Sequence, residues 1–178
     1  HHLYQVLAMN ANTGKIRVVV QESSPEYINY QRMFRYYTKD GKRLIWMSER
    51  DNWNHLYLYD VQAGKVVRQI TKGPWCVRQV LKVDEPNRVI YFSASGMNKD
   101  EDPYLVHYYR INFDGKDMTC LTPESAQHQA VFSDDYHYLV DTYSSVDRAP
   151  ITVLRDARSG KLIKVLEKAD ISDILANG

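Results

Sequence analysis

Four of the five Gly-Lys pairs recur at nearly even spacing, as Gly14-Lys15, Gly64-Lys65, Gly115-Lys116 and Gly160-Lys161, at intervals of 50, 51 and 45 residues. Each pair lies between two runs rich in Val, Ile, Leu and Tyr. A repeat of this size, with glycine at a turn between strand-like runs, predicts β-propeller blades. Counting back from each glycine returns one unit. Gln5-Val-Leu-Ala-Met9 leads into Asn10-Ala-Asn-Thr-Gly14, and His55-Leu-Tyr-Leu-Tyr59 into Asp60-Val-Gln-Ala-Gly64. His107-Tyr-Tyr-Arg-Ile111 leads into the shorter Asn112-Phe-Asp-Gly115, and Ile151-Thr-Val-Leu-Arg155 into Asp156-Ala-Arg-Ser-Gly160. The Asn or Asp side chain bonds the backbone two residues on, and the glycine supplies the positive φ that closes the hairpin. A second strand follows each Gly-Lys, at 16–20, 66–70, 117–121 and 162–166.

A second hairpin type alternates with the first. Turns at Asp40-Gly41-Lys42, Glu85-Pro86-Asn87 and Ser133-Asp134-Asp135 join strands expected at 28–37, 77–83 and 126–132 to strands starting at Arg43, Arg88 and Tyr136. Two hairpins per period make a four-stranded antiparallel blade. The fold class is therefore all-β, a partial propeller of about three and a half blades, its first half-blade lacking two strands. A closed ring needs about four to eight blades, so the chain reads as a fragment of a larger propeller. Helical spacing is confined to the end, where Ile171, Ile174 and Leu175 share one face. Residues 1–167 are read as blades and 168–178 as a connector.

Composition removes some partners. With 23 basic and 22 acidic residues the net charge is +1, which gives no electrostatic basis for binding nucleic acid or an anionic membrane surface. No apolar run approaches the roughly 18 residues of a membrane span. The aromatic content, with 14 Tyr and 3 Trp, suits packed blade faces. Cys76 and Cys120 occupy different places in their blades and read as structural thiols, not a bridge.

Catalytic patterns are missing. There is no G-x-S-x-G elbow, no phosphate loop, and no C-x-x-C or H-E-x-x-H zinc pattern. No cofactor or metal is expected. Asp100-Glu101-Asp102 lacks EF-hand spacing and reads as a solvated loop. His128 and His137 have no acidic or cysteine partner at metal spacing. His55 and His107 recur at one place in successive repeats, which favours a scaffold role.

The most specific local stretch runs from Ser48-Glu49-Arg50-Asp51-Asn52-Trp53-Asn54 through His55-Leu56-Tyr57-Leu58-Tyr59-Asp60. Glu49 and Arg50 follow an apolar strand and are expected to pair with each other's neighbours across the blade turn. Trp53 is expected to cap the blade end, and His55 to donate into the same network. The segment 23–37 is several residues longer than its counterpart at 76–83. The surplus can bulge into a central channel, making Tyr27, Tyr30 and Arg32 candidate substrate-channel residues; a surface loop or inter-blade wedge is the competing reading.

This stretch, with Thr71-Lys72-Gly73-Pro74-Trp75, resembles the N-terminal propeller of the dipeptidyl peptidase IV family, in the prolyl oligopeptidase clan of serine peptidases. The resemblance continues through Tyr108-Tyr109-Arg110-Ile111, Cys120-Leu121-Thr122, Leu166-Glu167-Lys168 and Asp173-Ile174-Leu175. It implies an eight-bladed propeller gating an α/β-hydrolase domain with a Ser-Asp-His triad, in an enzyme that releases N-terminal X-Pro or X-Ala dipeptides. It also implies paired propeller glutamates that hold the substrate amine, but no adjacent Glu-Glu occurs here. On this resemblance the catalytic residues lie outside the sequence, and the segment alone is not an enzyme. The implied partners are the hydrolase domain of the same parent chain and a peptide substrate, with a homodimer as a further option. A periplasmic or extracellular location is what the resemblance suggests. A non-catalytic binding propeller, or the propeller of an acylaminoacyl peptidase, remains the alternative.

Overall fold

The computed structural model describes residues 2–29 and 33–177. A two-stranded sheet comes first, β1 (Leu3–Met9) pairing antiparallel with β2 (Ile16–Ser23). Three four-stranded antiparallel sheets follow in simple up-and-down order. The first holds β3 (Arg35–Tyr37), β4 (Arg43–Ser48), β5 (His55–Asp60) and β6 (Lys65–Gln69). The second holds β7 (Cys76–Asp84), β8 (Val89–Ser95), β9 (Val106–Asn112) and β10 (Thr119–Cys120). The third holds β11 (Gln127–Phe132), β12 (Tyr138–Ser145), β13 (Arg148–Asp156) and β14 (Leu162–Lys168), and a short helix α1 (Ser172–Asn177) ends the chain. This is the half-blade plus three blades expected from the repeat. No helix of the described residues is long and apolar enough to cross a membrane.

The packing follows from the two-residue period of a strand. In β4, Leu44 and Trp46 enter a cluster with Val19 and Val20 of the half-blade. Their neighbours Ile45 and Met47 enter another, with Ile90 and Phe92 of the next blade. Strand β5 divides in the same way, Tyr57 and Tyr59 to one side and Leu56 and Leu58 to the other. In β8 the division is repeated, with Val89 and Tyr91 packing toward Leu139 of the last blade. Central strands are thus buried on both faces, which is why they read as nearly unbroken apolar runs. The fourth strands β6 and β14 are exposed along nearly their whole length and form the outer rim.

The Gly-Lys hairpins lock blade to blade. The four glycines have φ of 68°, 63°, 77° and 72°, and Asn10, Asp60 and Asp156 each accept backbone N–H groups within their own loop. A Cβ on Gly64 would lie 2.6 Å from the carbonyl oxygen of Val18, and one on Gly115 would lie 2.8 Å from that of Ile70. The three later loops each also receive an arginine from the preceding sheet. Arg17 donates to the Val61 carbonyl, Arg68 to that of Asp114 at 3.0 Å, and Arg110 to that of Arg158 at 3.1 Å.

Two expected strands are shorter than their apolar runs. Of the one expected at 28–37, the described residues pair as a strand at Arg35–Tyr37, and Ile28 is buried in a non-strand segment. The one expected at 117–121 shrinks to Thr119–Cys120, because Asp117 takes a positive φ of 53° and binds the Asn112 amide at 2.7 Å.

Candidate functional site

Where the half-blade, the following blade and the start of β7 meet, the ends of three elements enclose a cavity of about 240 Å³. Its walls come from the end of β2 and the segment after it, from the β4–β5 turn, and from the start of β7. The turn is a tight one: the Asn52 N–H donates to the Glu49 carbonyl at 3.0 Å, and Asn52 sits at φ 72°. Such a conformation suits asparagine better than most side chains. The turn holds Glu49 and Arg50 at the cavity wall.

Arg50 organises the back of the site. Its guanidinium binds the Glu22 carboxylate, the Tyr59 hydroxyl at 2.5 Å and the Ser48 hydroxyl at 3.0 Å, and lies 4.6 Å from the centre of the Tyr57 ring. The Trp46 indole N–H donates to the same Glu22 carboxylate at 2.7 Å. Burial alone would lower the Arg50 pKa, but the hydrogen bond and charge of Glu22 more than reverse this, so it lies above the usual guanidinium value. Burial raises the pKa of the Tyr59 hydroxyl, against the pull of Arg50. The hydroxyl of Tyr57 is raised by burial and then by Asp51. Arg50 therefore stays charged, and the Tyr57 and Tyr59 hydroxyls stay neutral, near neutral pH. The network ties the half-blade to the blade and is not a source of acid or base.

The family model for the dipeptidyl peptidase IV (DPP IV) N-terminal region matches residues 1–150. This chain belongs to that family. Dipeptidyl peptidase 4 of Arthroderma otae is 36% identical over 99 residues, which are 54% of this chain and 12% of that protein. The Trichophyton rubrum dipeptidyl peptidase 4 is 35% identical over the same shares. The crystal structure of Porphyromonas gingivalis dipeptidyl peptidase 4 superposes on 99% of this chain and 24% of its own, with a TM-score of 0.72 at 23% identity. That likeness supports the partial propeller fold. The chain spans a small part of the relatives it matches.

Within this DPP IV N-terminal region, the residues singled out by sequence fall in different places. Tyr27 lines the cavity and is 57% exposed. Tyr30 and Arg32 lie outside the described residues. Glu49 and Arg50 both line the cavity, and Arg50 reaches across to Glu22 of the preceding half-blade. Trp53 does not cap the blade: it is 41% exposed, and the packed indoles are Trp46 and Trp75. The reason is local, since Trp53 sits in the β4–β5 connection, and among the described residues no aromatic ring packs on it as Phe92 and His55 pack on Trp75. Nor does His55 join the Arg50 network. Fully buried, it bonds the Thr71 hydroxyl at 3.0 Å and the Gly73 carbonyl at 2.9 Å. His107 repeats the pattern with the Thr122 carbonyl at 2.6 Å and Glu101 at 2.9 Å.

Sequence reading missed two things. Glu22 was hidden in a strand end; its signal is parity, since it shares the inward face with the buried Val20. The second is an acidic partner for His128. On β11 it bonds Asp141 of β12 at 2.8 Å and the Glu124 carbonyl at 2.8 Å. The two side chains are diagonal neighbours across the β11–β12 pair, where His128 faces Tyr143 and Asp141 faces Ala130. Arg155 closes the group, with Nε 3.0 Å from Asp141 and Nη2 2.5 Å from Glu124. Glu124, His128 and Asp141 together have the donor types of a metal site. A guanidinium already occupies both carboxylates, and both imidazole nitrogens are engaged, so the set fits the arginine and not a metal ion. Cys76 and Cys120 are both free and partly buried, and burial raises the pKa of the Cys120 thiol.

Proposed function

We propose that this chain is the propeller portion of a serine dipeptidyl peptidase of the DPP IV type, screening peptides on their way to a catalytic α/β-hydrolase domain. The parent polypeptide would release X-Pro or X-Ala dipeptides from peptide N-termini, and residues 168–178 would lead toward the hydrolase. One observation carries the reading: the DPP IV N-terminal family matches residues 1–150, in a chain with no nucleophile elbow of its own. The open cavity against β7, with Tyr27 and Glu49 at its wall, supports contact with peptides at this end of the blades. On this reading the charge balance and the closed Arg50 and Arg155 networks serve the scaffold, and chemistry is supplied from outside the chain.

The test uses a glycyl-prolyl chromogenic substrate. The full-length polypeptide containing this chain is expected to hydrolyse it and to be blocked by a serine-directed inhibitor, whereas residues 1–178 alone are expected to be inactive. Inhibitor-sensitive turnover by the isolated chain, or none by the full polypeptide, would sink the proposal. The second outcome would favour a non-catalytic binding propeller.

A further inference from the structure

Two charges at the cavity remain unused after the Arg50 network is complete. Glu49 lies on the β4–β5 turn and Arg78 on β7, and both are exposed at the cavity wall. Among the described residues neither side chain makes a hydrogen bond or ion pair, and they do not pair with each other. Ile28, Met33, Met47 and Val77 supply the apolar part of a wall that also carries serine and asparagine side chains. Opposite charges facing one small cavity select against single-sign ligands. Phosphate would meet Glu49, and a bare cation would meet Arg78. A volume of about 240 Å³ corresponds to roughly eight waters at about 30 Å³ each, so it admits a small molecule rather than a folded segment.

We propose that this cavity binds a short peptide in its zwitterionic form. The free ammonium sits against Glu49, a carboxylate against Arg78, and an apolar side chain against Met33 and Met47. The choice of a peptide rests on the peptidase reading above; the charge pattern and the apolar wall do not. Methionine suits such a wall because its flexible thioether adapts to different side chains.

Met33 and Met47 also provide the readout, since Met9, Met97 and Met118 do not line this cavity. The chain carrying ¹³C-methyl methionine is titrated with valyl-alanine, its N-acetyl form and its C-terminal amide. The expected result is saturable shifts of the Met33 and Met47 methyl signals with the free dipeptide, while the other three stay still. Acetylation or Glu49→Gln is expected to weaken binding about tenfold or more, as loss of a charged hydrogen bond does. Amidation or Arg78→Gln should do the same, and in Arg78→Gln the acid and amide should bind alike. Both positions are exposed and unbonded, so the methyl spectrum of each free variant should match the parent apart from local shifts. Absence of Met33 and Met47 shifts at about 10 mM dipeptide, where a site of about 1 mM would be nearly full, overturns the inference. Binding indifferent to both substitutions overturns it too. Because binding is read without turnover, an inactive full-length polypeptide with dipeptide binding intact would count against the peptidase reading alone.

Discussion

Arg155 bridges two carboxylates of the last blade, Asp141 and Glu124. It is 2% exposed and holds the fully buried Asp141. Burial opposes its charge, but the bonds to Glu124 and Asp141 more than compensate, so it stays protonated throughout the accessible range. Arg155→Met would leave Asp141 buried with only His128 beside it, a loss of about 3–5 kcal/mol, read as a lower midpoint of urea unfolding. A change within about 0.5 kcal/mol would mean that Asp141 finds water or takes up a proton at no cost. The tryptophans divide in the same way. Trp46→Ala removes a fully buried ring and its bond to Glu22, at about 3–5 kcal/mol, whereas Trp53→Ala should cost under about 1 kcal/mol; equal losses would contradict the burial difference. At the surface, Asp135 has its pKa lowered to about 2, first by the Ser133 hydroxyl and then by the His137 N–H. Because its folded value lies below the ordinary value of about 3.9, its stabilising effect is present above pH 4 and fades as pH falls toward 2. A carboxyl titration by NMR should show a midpoint near 2 that rises in Ser133→Ala.

Among elements, the Gly-Lys hairpin does two jobs that a substitution can separate. Gly14 and Gly64 have nearly the same φ, 68° and 63°, but a Cβ on Gly14 meets nothing within 4 Å, whereas one on Gly64 meets the Val18 carbonyl. Gly14→Ala should therefore cost only the left-handed conformation, about 1–2 kcal/mol. Gly64→Ala should cost that plus the displacement of a neighbouring blade. The prediction is a clearly larger loss of thermal stability for Gly64→Ala, with the surplus confined to the contact between β2 and the β5–β6 loop in hydrogen exchange. Equal losses would mean that the blades slide apart freely. Such a dual demand explains why glycine marks the period so regularly in the sequence.

For the whole molecule, the two ends of the arc decide behaviour in solution. On the half-blade, Leu3, Leu7, Met9, Ile16 and Val18 are exposed; on the last blade, Val131, Tyr138 and β14 residues Leu162 to Leu166 are exposed. Inside the chain the faces of β4, β5 and β8 are covered by neighbouring blades, while the rim strand β6 is exposed as β14 is. Apolar patches of this extent are seldom left open on soluble monomers. Residues 1–178 alone should therefore self-associate head to tail, with a light-scattering mass that rises with concentration. Replacing Leu7 and Met9 with lysine should lower that mass. A concentration-independent monomer would show that the ends are covered in some other manner.

The blade count and the hairpin positions were legible in the residues, because strand alternation and glycine turns are local rules that repeat. Strand β4 shows this well: its run Leu44-Ile45-Trp46-Met47 announced a strand buried on both faces before any neighbour was known. The segment 28–37 shows the limit, since apolar composition cannot say which residues find a partner, and among its described residues Arg35–Tyr37 form the strand. Trp53, His55 and His128 fell on the same limit. Their burial and bonding depend on what lies across a sheet or on the next blade, at distances in sequence that no spacing rule encodes. The repeat set the architecture, because each turn and strand carries its own instruction. The tertiary structure alone decided that Glu22 meets Arg50, that Arg155 fills a would-be metal site, and that Glu49 and Arg78 face one cavity unpaired, because those relations arise only when separate blades pack.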